Sequence, residues 1–488
     1  MSTLTTELPS GWTEAPIEEF LAPLKDGRIL HQGWSPQCER EPSESEENWG
    51  VLKTTAIQAG VFLPEQNKRL PSSLTPRPAL EVESGDILLT CAGPRGRCGV
   101  ACLVRDTRKR LMISGKMYRF RVRPDRMDSR YLEAFLQTDS AQTLINKMKT
   151  GISDSGLNLT HDRFRRLPVR AAPLEKQQQI VAEIEKQFTR LEAGVAGLRR
   201  VQANLKRYRA AVLKAACEGK LVATEAELAR QEGRTYETGA QLLERILTER
   251  RQKWNGRGRY KEPAKPDTAK LSPLPTGWAW TTMDAVIISG PQNGIYLPKA
   301  SYGRGCPILR IDDFQEGWVR DRDELHMVTG DPETLKVYRL RVRDLIINRV
   351  NSPSHLGKCL IVRDSLVPAV FESNMMRAVL SGLIHARYVE LYLRSVDGHL
   401  RLNSNAKWAV NQASINQQDV KSTALPLPPY PEQQRIVAEV ERHLSIIEEL
   451  EAVVNANVQR ATRLRQSILQ QSFTGELGSK SIASGYHE

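Results

Sequence analysis

The sequence predicts an α/β protein built as an internal repeat: two mixed α/β domains separated by two long helices that pack on one another as a coiled coil. Three observations carry this. Leu8-Pro9-Ser10-Gly11-Trp12 returns as Leu274-Pro275-Thr276-Gly277-Trp278, and Gln178-Gln179-Ile180-Val181-Ala182-Glu183 returns as Gln434-Arg435-Ile436-Val437-Ala438-Glu439, 266 and 256 residues later. Between these anchors the matches keep an almost constant offset across otherwise diverged sequence, the mark of a duplicated unit. After each copy the hydrophobic period changes from that of strands to that of one continuous helix.

Within the copies, Leu52-Lys53 falls on Leu309-Arg310, Asp86-Ile87-Leu88-Leu89 on Asp344-Leu345-Ile346-Ile347, and Leu103-Val104-Arg105-Asp106 on Ile361-Val362-Arg363-Asp364. Runs such as Asp86 to Thr90 and Leu360 to Val362 are β-branched or leucine-rich and bounded by Gly, Pro and Asn, which predicts strands joined by tight loops. Tyr131 to Leu136 and Tyr388 to Leu393 have helical spacing instead. Leu167-Pro168-Val169 and Leu425-Pro426-Leu427 close the copies, because a proline favours an extended approach and stops regular structure.

From Glu175 to about Cys217, apolar residues from Ile184 through Phe188, Leu191, Val195, Leu198, Val201, Leu205 and Tyr208 to Val212 advance by threes and fours. Val440, Leu444, Ile447, Leu450, Val454, Val458, Ala461, Leu464 and Ile468 repeat the pattern between Glu432 and about Phe473. Each helix of about 40 residues would span roughly 60 Å, too long to be buried in its own α/β domain. With one apolar stripe apiece, the two are expected to bury it against each other, parallel or antiparallel. Both end at a glycine, Gly219 and Gly475, the residue that accepts a left-handed turn after a helix. Between them, Glu237 to Arg250 reads as a short amphipathic helix and Arg251 to Lys270 as an exposed basic linker, in which Arg257, Arg259 and Lys261 could meet phosphate. The expected divisions are therefore 1–172 and 273–430 for the α/β domains, 173–219 and 431–477 for the long helices, 220–272 for the connection and 478–488 for the tail.

With 488 residues, a formal net charge of +13 and a pI near 9.4, the chain is expected to hold several cores and to meet a polyanion, nucleic acid ahead of membrane. It has no run of 18 or more apolar residues, and Met1-Ser-Thr-Leu-Thr-Thr-Glu7 lacks the features of a signal peptide, so a cytoplasmic location is expected. Seven scattered cysteines form no disulfide framework. Cys91, Cys98 and Cys102 raise zinc by proximity, but without a paired CxxC or a fourth ligand they read as small buried hydrophobes and no metal site is expected.

Catalytic constellations are absent from the sequence: no GxxxxGK[ST], no GxGxxG opening a helix after a strand, no HExxH. Leu427-Pro428-Pro429-Tyr430 resembles the motif with which adenine methyltransferases hold their target amino group, but leucine cannot accept the amine hydrogens. No catalytic and no cofactor-binding residue is therefore assigned. Basic and amide side chains gather instead in the variable loops. Arg95, Arg97, Arg105, Arg108, Lys109 and Arg110 crowd the first copy, and Arg310, Arg341, Arg343, Arg349, Asn351, Ser352 and His355 the second. Gly93 to Gly99 reads either as a plain turn or as a phosphate-contacting finger. Asn348 to His355 follows the strand 345–347, and Thr90 to Arg97 occupies the matching loop of the first copy. Arg can bond two acceptors on guanine, Asn can do so on adenine, and any cation can neutralise phosphate. The DNA-binding candidates are Lys53, Arg95, Arg97, Arg105, Arg310, Arg349, Asn351 and His355.

On the paired LPxGW starts, the GDILLT and RDLIIN strands, the domain ends LPVRAAPLEKQQQIV and LPLPPYPEQQRIV, and the helix ends CEGKL and FTGEL, the chain resembles the specificity subunit of a Type I restriction-modification enzyme over essentially its whole length. The resemblance implies two target recognition domains, each reading one half of a bipartite double-stranded DNA site, and an antiparallel coiled coil that sets the unread spacer. It implies two methyltransferase subunits docked on the helices and motor/nuclease subunits in the full complex, with S-adenosylmethionine, ATP and Mg on those partners and none on this chain. Two rivals are weighed beside it: a stand-alone DNA methyltransferase or nuclease, and a coiled-coil scaffold that binds only protein.

Overall fold

A computed structural model describes residues 8–254, 258–315, 318–352, 355–409 and 412–474. The chain forms two compact units, Met1–Arg199 with Asn455–Glu488, and Arg200–Val454, so that each unit contains one α/β domain and one end of each long helix.

In the first unit the central antiparallel sheet runs in the order Ala101–Leu103, Ile87–Thr90, Met117–Val122, Leu21–Ala22, with His31–Gln32 also on Met117–Val122. The register sets Leu89 against Tyr118 and Ile87 against Phe120. Side chains alternate across a strand, so Ile87 and Leu89 pack with Tyr118, Phe120 and the helix Ser129–Leu136, while Leu88 faces a second cluster with Leu52, Ala56 and Leu111. A sheet covered on both faces explains why Ile87-Leu88-Leu89 is apolar throughout rather than alternating.

The second unit repeats the plan. Its sheet runs Ile287–Asn293, Met375–Leu380, Asp344–Asn348, Cys359–Ile361. Leu345 and Ile347 pack towards the helix Ala386–Arg394, and Ile346 towards Leu309 and Phe371.

Each domain is closed by pairing its first strand with its last: Thr13–Pro16 lies antiparallel to Pro168–Ala171, and Ala279–Thr282 to Ala424–Leu427. The LPxGW motifs are the turns that feed these strands. Trp12 N–H donates to the Pro9 carbonyl at 3.0 Å and Trp278 N–H to that of Pro275 at 3.1 Å. Gly11 and Gly277 take φ of +79° and +88°, as the third residue of a type II turn requires.

The long helices are Leu174–Cys217 and Tyr430–Ser472. In the first unit Ile184 and Phe188 share a cluster with Ile468, Leu469 and Phe473, and the Arg465 guanidinium lies 4.1 Å from the Phe188 ring centroid. In the second, Leu205 packs with Leu444 and Ile447. The start of one helix thus pairs with the end of the other in both units, which is the antiparallel arrangement. The apolar stripe is not buried along its whole length: Ile184, Leu205, Val212, Val440 and Ile447 are buried, whereas Val201, Leu450 and Leu464 are 41%, 45% and 51% exposed. Residues packed on an α/β domain gain a second neighbour, and those along the pair alone do not.

Among the described residues the connection holds two α-helices rather than the one expected. Glu225–Glu232 begins with a capping box of Thr224 and Glu227, and Gly239–Gln252 with one of Thr238 and Gln241. Leu242 and Ile246 of the second are buried beside Trp278, Leu425 and Leu427, so this amphipathic helix is part of the second unit's core, while Arg251, Lys253 and Arg259 of the basic run after it are exposed. Gly219, at φ +66°, ends the first long helix. Gly475, Arg257 and the tail 478–488 lie outside the described residues.

Candidate nucleic-acid interface

Matching loops follow the central strands of the two domains, and their different side chains hold them differently. In the first unit the Thr90 hydroxyl donates to the Arg97 carbonyl and accepts the Val100 N–H at 3.0 Å, which closes the loop on itself. At the equivalent place Asn348 is fully buried, and neither side-chain polar atom has a hydrogen-bond partner among the described residues.

Arg95 stands on the outer turn of the first loop and pairs with Asp154 at 2.8 Å, so its charge is locally balanced. Arg97 turns inward: its guanidinium donates to Gln58 Oε1 at 3.1 Å, to the Ile57 carbonyl at 2.8 Å and to the Thr54 carbonyl. These bonds bring it to the segment that follows Lys53, a half-buried residue whose N–H donates to the Gln66 carbonyl at 2.9 Å. Neither Arg97 nor Lys53 has a carboxylate partner among the described residues, so both keep their positive field beside the loop. Arg105 belongs to another place. It lies beyond the other end of the strand Ala101–Leu103 and pairs at 2.7 Å with Glu133, which is buried and also accepts the Leu103 N–H at 2.7 Å.

In the second unit Arg349, Asn351 and His355 share one loop. The Arg349 N–H donates to the Asn374 carbonyl at 2.9 Å and its Nη1 to the Ser373 carbonyl at 3.2 Å, while its buried Nε has no partner among the described residues. Arg310 reaches the same turn from the other side: its Nε is 3.7 Å from Glu372 and 3.8 Å from Asp312. Burial pushes the Glu372 carboxyl above its ordinary pKa, against the Ile311 N–H and Arg310, which favour its charged form. Asn351 Oδ1 accepts the Ser352 N–H at 2.7 Å, and His355 Nδ1 lies 2.8 Å from Lys358 Nζ, which makes that ring nitrogen the acceptor. The structure therefore places Arg349, Asn351 and His355 on one loop with Arg310 beside Glu372 at the adjoining turn, and Lys53, Arg95 and Arg97 at the corresponding loop of the first unit; Arg105 stands apart.

Beside each loop is a hairpin that sequence reasoning missed. In the second unit Lys407–Ala409 pairs with Gln412–Ser414, which pairs in turn with Val350–Asn351. Trp408 on it is 64% exposed. In the first, Thr150 and Asn158 close a loop carrying the fully exposed Ile152, and Leu157–Asn158 pairs with Ala92–Gly93. The only sequence signal is a tryptophan set among Asn, Ser and Gln residues, and the exposure of one aromatic is not encoded by local pattern.

Cys91 and Cys98 lie in the cluster beneath the first loop, and Cys102 in the cluster on the opposite face of the sheet. Burial pushes the Cys91 and Cys102 thiols up to about 12. Among the described residues no group of three His, Cys, Asp or Glu side chains is placed to hold a metal ion, and no helix is long and apolar enough to cross a membrane.

No protein-family model matches the chain. Over 182 residues it is 40% identical to the Type I restriction enzyme EcoEI specificity subunit of Escherichia coli, a match spanning 37% of this chain and 30% of that protein. Over 478 residues it is 23% identical to the Type I restriction enzyme EcoKI specificity subunit of Escherichia coli strain K12, covering 96% of this chain and 90% of the relative. Against the Type I restriction enzyme StySPI specificity subunit of Salmonella potsdam it is 22% identical over 479 residues, with the same coverage of 96% and 90%. Among solved structures, a chain from a study of complex assembly and conformational transition of the type I R-M system superposes with a TM-score of 0.62 at 19% identity, covering 96% of this chain and 99% of that one, which shows a shared fold.

Proposed function

Because the chain belongs to the specificity subunits of type I restriction enzymes, we propose that its two units each read one half of a bipartite DNA site and that the paired helices set the unread spacer. It is a DNA sequence-recognition component of a multi-subunit restriction system and is itself non-catalytic. The single observation that carries the two-reader assignment is the duplicated frame. Central strands, closing strands and helix ends agree between the copies, while the loops after Leu89 and Ile347 differ in sequence and in how they are held. One frame with two different polar loops suits two different half-sites.

The finer assignment is that two methyltransferase subunits dock along the helices and that motor/nuclease subunits join them. S-adenosylmethionine, ATP and Mg then act on those partners, in the cytoplasm. The exposed apolar residues Ile446, Leu450 and Val453 on the second helix support docking of a partner there, since a free helix pair leaves them in water.

The test is binding of duplex DNA by the purified chain with and without a co-expressed methyltransferase partner, across a salt series, with labelled S-adenosylmethionine present. Salt-dependent binding tightened by the partner is expected, with methyl transfer only when the partner is there. Transfer by the chain alone would make it an enzyme, and absence of DNA binding in either state would make it a protein scaffold.

A further inference from the structure

We propose that the two hairpins beside the polar loops are groove-reading ribbons, and that Trp408 in the second unit and Ile152 in the first are specificity-determining residues, each making the apolar contact to its half-site. The proposal rests on the DNA-reading function above and names the residues that perform it.

The register of the second unit's three-stranded sheet sets Trp408 opposite Ala413, and Ala413 opposite Asn351. Residues directly opposite share a face of the sheet, so Trp408 and the candidate base-reading amide of Asn351 flank one residue on one face. Ala413 is buried at 1% exposure, whereas Trp408, one strand further out, is 64% exposed, so the sheet carries the ring beyond the core. Gln412 and Lys407 are also exposed on this ribbon.

In the first unit the hairpin is closed by two hydrogen bonds of 2.7 Å between the backbones of Thr150 and Asn158. It is tied to the polar loop by the Arg95–Asp154 ion pair and by Lys149 Nζ, which donates to the Arg95 carbonyl at 2.9 Å. Ile152 on it has a relative exposure of 108%. A single exposed apolar residue is ordinary. Two of them stand on hairpins strand-paired to equivalent loops of a diverged repeat, so each copy presents an apolar group outward beside its polar loop.

Charge and shape point to the partner. Residues 403–416 include Lys407 and no acidic residue, and Arg349 adjoins them with no carboxylate partner among the described residues, while Asp154 of the first hairpin is neutralised by Arg95. A two-stranded ribbon fits the major groove of DNA, where an apolar side chain reads the thymine methyl and amides read adenine edges. A protein partner common to both units would call for like residues on the two hairpins, and tryptophan and isoleucine are not alike.

The experiment uses the full chain assembled with its methyltransferase partner. The methylated site is first mapped for the wild-type complex, and binding is then measured at fixed salt to duplexes carrying the intact site or either half scrambled. Trp408→Ala is expected to lower discrimination at one half by about 10- to 100-fold and to leave the other half unchanged. Trp408→Phe should keep most of it, and Ile152→Ala should act on the opposite half. Equal discrimination by Trp408→Ala and wild type, an equal loss at both halves, or failure of Trp408→Ala to assemble with its partner while its thermal midpoint is unchanged would each overturn the proposal. A wild-type complex that prefers no bipartite duplex would overturn the DNA-reading function, and this assignment with it.

Discussion

Tyr208 on the first long helix and His443 on the second meet at 2.9 Å between Oη and Nδ1, with their rings edge-on at 5.7 Å. One residue on, Arg209 pairs with Glu451 at 2.9 Å. Such contacts fix the register of the pair, and the helix rise of about 1.5 Å per residue converts register into length. Inserting four residues near Val201 or near Val454 should therefore alter the spacer of the methylated site and leave both half-sites unchanged. Mapping of methylated adenines checks it; an altered half-site with a constant spacer would contradict it.

Gln177 and Gln433 occupy the same place in the two copies, and both are fully buried. Gln177 Oε1 accepts the Asp128 N–H at 2.9 Å and its Nε2 donates to the Ala172 carbonyl at 2.8 Å; Gln433 does the same for the His385 N–H and the Pro428 carbonyl, both at 2.9 Å. Each staples the start of a long helix to the loop before a domain helix. Either glutamine replaced by Ala strands buried backbone groups, which costs about 3 kcal/mol. Denaturant midpoints should fall for both variants, by similar amounts.

Arg349 and Arg97 separate two roles. Arg349→Ala should cost about 1–3 kcal/mol of binding with relaxed specificity if the side chain reads a base, or weaken all duplexes evenly if it touches phosphate. Arg97 spends its donors on Thr54, Ile57 and Gln58, so Arg97→Ala should lower the thermal midpoint and affect DNA binding through the loss of loop structure. Paired calorimetry and binding isotherms distinguish them.

Glu432 supplies a pH signature. Burial holds its carboxyl above the ordinary value of 4.5, although the Glu225 N–H and the Trp278 indole favour its charged form. The stability contributed by a raised carboxyl is fully present below the unfolded pKa and is lost as pH rises through the folded one. Glu432→Gln removes that loss, so the midpoint of the variant minus that of wild type should grow more positive from pH 4.5 upward. A difference that falls with pH would contradict it.

Strands, domain ends and long helices were legible in the sequence because the duplication compares each with itself: Asp86 to Leu89 and Asp344 to Ile347 are alike because both are covered on two faces. The helix Glu225–Glu232 was missed because only one copy has it and its capping box precedes a segment with little apolar period. The site was legible as loops and not as contacts. Arg95, Arg105 and Arg310 all have carboxylates beside them, Asp154, Glu133 and Glu372, that are 59, 28 and 62 positions away along the chain. No local pattern announces such pairings. Trp408 was overlooked for the converse reason, since tryptophan in a polar stretch is as consistent with burial as with the 64% exposure it has.

Two independent readers in one frame should be separable by exchanging one of them. Exchanging residues 1–172 for the corresponding domain of a relative with a different site, and mapping methylated adenines produced with the co-expressed methyltransferase, tests it most directly. The expected site has one half changed and the other half retained. A change in both halves, or in neither, would contradict it.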